Sequence, residues 1–168
     1  MTIIITPVES AADIEVAREL LAEYMAWTLT VEGDAHDAPT FQGHREELAN
    51  LSRVYSAPAG RLFLARDSDR VAGSVAIKRH DRRVCELKRL YVRPAFRGRR
   101  IGERLARFAV DEARAMGYER MVLDSHISMR SAHAIYQSLG FTFVDAPPDF
   151  PERFRPVVVF MARDLQPR

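Results

Sequence analysis

The segment from Leu87 to Gly102 reads Leu-Lys-Arg-Leu-Tyr-Val-Arg-Pro-Ala-Phe-Arg-Gly-Arg-Arg-Ile-Gly, a strand that stops at Pro94 and turns through a basic glycine loop into a helix. A helix starting near Ile101 leaves backbone N–H groups unpaired at its first turn and carries a partial positive charge there. Gly98 and Gly102 let another molecule approach the main chain closely, so anions are favoured at this point. Lys88, Arg89, Arg93, Arg97, Arg99, Arg100, Arg104 and Arg107 crowd the same stretch, with Glu103 the only acid between Lys88 and Arg107. The local charge far exceeds the net +2 of the chain. We read the stretch as a phosphate cradle and its ligand as a polyanion. A solvated basic turn is the alternative, and the position between a strand and a helix argues against it.

A length of 168 residues suggests one domain over 1–168, large enough to bury a substantial core without disulfides or metals. Cys85 is the only cysteine, so no internal disulfide forms, nothing argues for secretion, and its strand context makes it a buried, inert thiol. Residues 1–7 lack a basic leader region and hold only three consecutive isoleucines, far short of a signal segment or membrane span. The expectation is a cytoplasmic protein with no membrane partner.

Thr2 to Thr6 reads as a β-branched strand ended by Pro7. Ser10 and Asp13 have capping spacing ahead of a helix whose apolar face holds Ile14, Ala17, Leu21, Tyr24 and Met25 or Thr28. Glu32 to Pro39 is a loop, Thr40 to Arg53 a second helix, and Ser56 to Gly60 a turn. The period then changes. Leu62–Ala65 and Val71–Ile77 are strands of a hairpin joined at Asp67 to Arg70, and Val84–Val92 is the third strand of a meander. A helix from Ile101 ends at Gly117, Met121–Asp124 is a buried strand, and a helix over Arg130–Leu139 ends at Gly140. Phe141–Val144 and Val157–Met161 are the last strands, separated by a proline-rich irregular segment from Asp145 to Pro156. The fold class is α/β (α+β): a mixed, mostly antiparallel central sheet flanked by helices.

Leu90-Tyr91-Val92-Arg93-Pro94 followed by Arg97-Gly98-Arg99-Arg100-Ile101-Gly102 resembles the acetyl-CoA motif of the GCN5-related N-acetyltransferase (GNAT) superfamily, commonly Gln/Arg-x-x-Gly-x-Gly/Ala. Arg97 and Gly102 match its first and last positions. Arg100 replaces the middle glycine, exchanging close backbone approach for a forked pair of N–H donors. Ala132, Tyr136, Gly140 and Phe141 match the family's Ala-x-x-x-Tyr-x-x-x-Gly-Phe pattern, while Met129 stands where many members carry asparagine. The resemblance covers most of the chain, strongest from Cys85 to Val144 and weakest before Gly60.

The resemblance implies that acetyl-CoA enters a splay between the strand ending at Val92 and the strand starting near Arg120. The backbone at Leu90, Tyr91 and Val92 would take the pantetheine arm, and the loop from Arg97 through Gly98, Arg99, Arg100 and Ile101 to Gly102 the pyrophosphate. It also implies that the Tyr136 hydroxyl faces the CoA sulfur as general acid; membership of the apolar stripe with Ile135 and Leu139 is the competing role. Glu86, a carboxylate in an otherwise apolar and basic strand, is the candidate base for an ammonium of pKa about 10.4. A salt bridge to Lys88 or Arg89 competes with that role. Asp124, at the end of its strand, is the reserve base and a candidate substrate-side residue, with His126 as its assistant; helix capping and a plain loop histidine are the competing roles. Tyr24, Trp27, Phe41, Gln42 and Phe150 are nominated for the acceptor side, with packing the expected role of Trp27.

His36, Asp37 and His44 lack a recognised ligand spacing, and no metal is expected. The leading reading is an acetyl-CoA-dependent N-acetyltransferase moving acetyl directly to a primary amine of a small molecule. A protein or peptide acceptor is the alternative within that class, and a non-catalytic acyl-CoA sensor the alternative outside it. Nucleic acid is the least favoured partner, because the arginines gather at one helix start without interleaved aromatics. A homodimer is expected from family habit alone.

Overall fold

The computed structural model describes residues 2–32 and 43–165. Seven strands form one sheet in the order β1-β2-β3-β4-β5-β7-β6. They are β1 (Ile3–Pro7), β2 (Gly60–Asp67), β3 (Arg70–Arg79), β4 (Val84–Val92), β5 (Arg120–His126), β6 (Thr142–Val144) and β7 (Val158–Asp164). Every neighbouring pair is antiparallel except β4 and β5, which α4 (Ile101–Ala115) connects as a parallel crossover. α5 (Arg130–Ser138) follows β5, and α1 (Ala11–Glu32) lies between β1 and β2 in sequence.

Local chemistry explains these boundaries. The Asp13 N–H donates to Ser10 Oγ at 3.0 Å and Ser10 Oγ donates back to Asp13 Oδ2 at 2.6 Å, so the expected capping pair starts α1. Gly117 (φ 86°) and Gly140 (φ 83°) take the left-handed conformation that ends α4 and α5. The predicted second helix is interrupted within its described part. α2 (His44–Ala49) stops and α3 (Leu51–Val54) restarts at Asn50, whose Nδ2 donates to the Glu46 carbonyl at 2.9 Å, a local bond that competes with the helix ladder. Thr40, Phe41 and Gln42 lie outside the described residues. The proline-rich segment holds only one short 3-10 turn, Glu152–Phe154.

Two apolar layers sandwich the sheet. On one face α4 and α5 pack Leu105, Ala109 and Tyr136 over Phe63, Val75, Cys85 and Leu87. On the other, Leu20 and Leu21 of α1 and Leu51 of α3 cover Leu62, Leu64, Ala76 and Tyr91. Cys85 is fully buried and its thiol is pushed up to about 12, as expected of an inert cysteine. Among the described residues no helix is long and apolar enough to cross a membrane.

Candidate active site

β4 and β5 pair over only three residues, Val84 with Arg120, Cys85 with Met121 and Glu86 with Val122. Beyond Glu86 they part, and a cavity of about 380 Å³ opens in the gap. Its walls are β4 from Leu87 to Val92 and β5 from Asp124 to His126. α5 adds Ala132, Ile135 and Tyr136, α1 adds Tyr24 and Trp27, and Arg97 and Gly102 stand at the loop end.

The loop end has the form of an anion cradle. Gly98 (φ 78°) and Arg100 (φ 55°) are both left-handed and lead into the start of α4, where the unpaired N–H groups of a first helical turn favour an anion. The middle loop position therefore demands a positive φ, and here an arginine adopts it. A Cβ added at Gly102 would meet Ile135 Cδ1 at 3.4 Å and Val92 Cγ2 at 3.7 Å, ordinary contacts, so protein packing does not account for the missing side chain.

The surrounding charge is far more committed than the sequence suggests. Arg93 pairs with Glu23 at 2.6 Å, Arg99 with Asp67 at 2.9 Å, Arg107 with Glu103 at 3.3 Å, and Arg104 Nη2 donates to the Ile3 carbonyl at 2.8 Å. Arg89 and Lys88 are paired as described below. Among the described residues Arg97 and Arg100 form no ion pair. Arg97 Nε donates to the Val92 carbonyl at 3.0 Å and its guanidinium lies 5.2 Å from the Trp27 ring centre. Of the expected eight cations, Arg97, Arg100 and Arg104 thus lack a carboxylate partner among the described residues, Arg104 being tied to the β1 backbone, while the Arg99 side chain holds Asp67.

Of the two nominated carboxyls Asp124 lines the cavity and Glu86 does not, yet the two form one unit. Glu86 lies 3.0 Å from Lys88 Nζ and hydrogen-bonds Asp124. Burial acts to raise the Glu86 pKa, but Lys88 and the Asp124 hydrogen bond outweigh it and hold Glu86 below the ordinary carboxylate range. Burial, reinforced by the Glu86 charge and opposed by Lys88, pushes Asp124 up to about 6. Of the two, Asp124 is the more readily protonated. Tyr136 is buried at 6% exposure, and burial, with the nearby Tyr24 and Asp124, raises its pKa well above that of a free phenol.

Other nominated residues fall differently. Tyr24 lines the cavity, and so does Trp27, which sequence reasoning favoured as packing. Tyr24, Trp27 and Tyr91 form an aromatic group with ring centres 5.6 to 6.3 Å apart. Phe150 sits apart, packed with Phe154 and Val158. The acceptor-side candidates Phe41 and Gln42 lie outside the described residues, as do His36 and Asp37. His126 lines the cavity, but its Nδ1 accepts the Ser128 N–H at 3.2 Å and burial lowers its pKa, so the ring serves its own loop rather than Asp124. A buried pair went unforeseen: Ser125 Oγ, on the cavity wall, lies 3.0 Å from His133 Nε2. Nothing in the spacing of a strand and the following helix signals that contact. Among the described residues no group of three His, Cys, Asp or Glu could hold a metal ion.

A mixed sheet split between two parallel strands, with a left-handed loop and a helix start at one end of the split, is the scaffold of the CoA-dependent N-acetyltransferase class. The chain belongs to the acetyltransferase (GNAT) family, whose sequence profile matches residues 16–141. It is 40% identical over 104 residues to an uncharacterized N-acetyltransferase of Schizosaccharomyces pombe, a match covering 61% of this chain and 64% of that protein. The chain thus spans less than two thirds of that relative's length. It is 30% identical over 154 residues to an IAA acetyltransferase of Azospirillum brasilense, covering 91% of this chain and 99% of the relative. The fold superimposes on a GNAT family acetyltransferase from Elizabethkingia anophelis, solved with acetyl-CoA bound, with a TM-score of 0.68 at 19% identity over 96% of this chain and 97% of that one.

Proposed function

We propose that this chain is an acetyl-CoA-dependent N-acetyltransferase that moves an acetyl group directly to the primary amine of a small molecule. The observation that carries the reading is the split between β4 and β5, which brings the loop end at Arg97 and Gly102, the buried phenol of Tyr136 and the Asp124 carboxyl onto one cavity, with Glu86 behind Asp124. The residues fit the cofactor: Gly98, Arg100 and the first N–H groups of α4 suit a pyrophosphate, and the β4 edge beyond Glu86 lacks a strand partner on the β5 side. Bound acetyl-CoA would supply the activated acyl thioester.

The chain's own groups supply the proton chemistry. At neutral pH Asp124 and Glu86 are ionised beside Lys88, the one cation that acts on both, with Lys78 acting on Glu86 and Arg89 on Asp124, and the exposed edge of the pair attracts an ammonium. Asp124, with its pKa near 6, is better matched to proton abstraction at neutral pH than Glu86, whose pKa is depressed. The base is accordingly the pair, with Asp124 as the site that takes the amine proton, directly or through water. Tyr136 stays protonated well past neutrality and delivers its proton to the departing sulfur. The aromatic walls from α1 favour a compact acceptor over an extended peptide.

The reading is tested by thiol release from acetyl-CoA against pools of amines, amino acids and short peptides, with Tyr136→Phe alongside. Pool-dependent release, reduced about 10²-fold or more by the substitution, supports it. Release only with peptides moves the acceptor to protein, and CoA binding with no release in any pool marks a sensor.

A further inference from the structure

β4 does not alternate regularly, and the irregularity is anchored from outside the cavity. Ser74 of β3 pairs with Tyr91 and Ala76 pairs with Lys88, so Arg89 and Leu90 together oppose Val75 as a bulge. Arg89 takes the left-handed conformation, φ 57°, which costs a residue with a side chain about 1–2 kcal/mol. The bulge resets the phase of the strand. Cys85 and Leu87 face α4, and after the extra residue so do Leu90 and Val92, whereas Tyr91 joins the face covered by α1. Without it a period-2 strand would place Leu90 and Val92 opposite to Cys85 and Leu87, and Tyr91 would leave the Tyr24–Trp27 group.

Something must hold so strained a residue. The Arg89 side chain, 5% exposed, is clamped by Glu47 of α2, 10% exposed: Nε donates to Oε1 at 2.7 Å and Nη2 to Oε2 at 2.6 Å. The Tyr55 hydroxyl donates to the same Oε1 at 2.6 Å, and Ser74 Oγ donates to the Arg89 carbonyl at 3.0 Å. The guanidinium also lies 5.9 Å from the ring centre of Tyr24, in the cavity wall.

We propose that Arg89 and Glu47 are positioning residues for the reaction centre, a strut that fixes the phase reset of β4 and so keeps both faces of the cavity assembled. The active-site part of this inference rests on the transferase reading above. The strut bonds neither reacting group; it acts through the backbone at Leu90 and through Tyr91, and the Arg89 charge, which also favours ionised Asp124, is lost equally in both double variants compared below.

The test separates backbone conformation from side-chain loss. Glu47→Gln is introduced first so that no unpaired charge is buried, and Arg89→Ala is compared with Arg89→Gly in that background. Glycine removes the guanidinium equally but adopts positive φ freely. CoA affinity is measured by calorimetry, and kcat/KM for acetyl transfer at a temperature where both double variants are folded. The expected result is a loss of tenfold or more in CoA affinity and in kcat/KM for Ala/Gln, with at least several-fold of each restored in Gly/Gln. Equal values in the two double variants, or values like the wild type in both, overturn the proposal. If Ala/Gln does not fold, Glu47→Gln alone must weaken CoA binding at least threefold without a change in the wild-type fold. A wild-type protein that binds no CoA defeats the transferase reading instead, which is a separate outcome.

Discussion

Two charged clusters sit on the same side of β4, a few residues apart, and they behave in opposite ways. Around Arg89, one cation meets one carboxylate, both Glu47 oxygens are occupied, and the Tyr55 hydroxyl donates to one of them. Burial opposes ionisation of both partners, yet the pairing wins: Glu47 is held below the carboxylate range and Arg89 above its own. No group there titrates near neutrality. Around Lys88, two carboxyls share the one cation that acts on both, Lys78 and Arg89 each reach only one of them, and burial with the Glu86 charge pushes Asp124 up to about 6. The first cluster is closed and holds structure. The second holds an acid that titrates closer to neutrality and opens onto the cavity, which is what proton transfer at neutral pH requires.

Breaking the closed cluster from one side should give the largest effect. Arg89→Met leaves Glu47 buried without a counter-ion, and loss of about 3–5 kcal/mol of unfolding free energy in denaturant is expected. Asp124→Asn should cost far less stability but lower kcat/KM at pH 7 by about 10²-fold. A result with the two clusters exchanged, Asp124 governing stability and Arg89 dispensable, would end the distinction.

The pH dependence sharpens it further. The raised pKa of Asp124 means the native pair holds a proton that an unfolded carboxyl releases, so between the ordinary 3.8 and about 6 this group makes the protein less stable as pH rises. Activity moves the other way: kcat/KM should climb through about pH 6, where the base becomes free, and then level off. Lys88→Met removes the cation that favours both carboxylates, so the rise should move to higher pH, read from the rate profile.

Which parts of this were legible in the sequence follows from how local each determinant is. The Ser10–Asp13 cap, the glycine stops at 117 and 140 and the strand–loop–helix from Leu87 act within a few residues, and each element lies where the sequence places it. The split between β4 and β5 came from family resemblance rather than from periodicity. The bulge at Arg89 was invisible because a run such as Val84–Val92 reads as an ordinary strand whichever residue is inserted. The Glu47–Arg89 contact spans 42 positions and the Glu86–Asp124 contact joins two strands across a crossover, so neither partner announces the other. The basic cluster misled for the same reason: the acids that neutralise it, Glu23, Glu47 and Asp67, are distant in the chain.

The smallest effect concerns the other left-handed arginine. Arg100 has φ 55°, close to the 57° of Arg89, but it is exposed and, among the described residues, makes no ion pair. Its strain is therefore uncompensated within the protein, and Arg100→Gly should stabilise the fold by up to about 1 kcal/mol, seen as a rise in Tm. The same change removes a forked phosphate donor from the cradle, so CoA affinity should fall a few-fold while kcat holds. Arg89→Gly should do the reverse, destabilising the protein because the relieved strain is smaller than the lost ion pair. If Arg100→Gly also destabilised, its side chain would have to be held by a partner as Arg89 is, and the contrast between an anchored and a free arginine would fail.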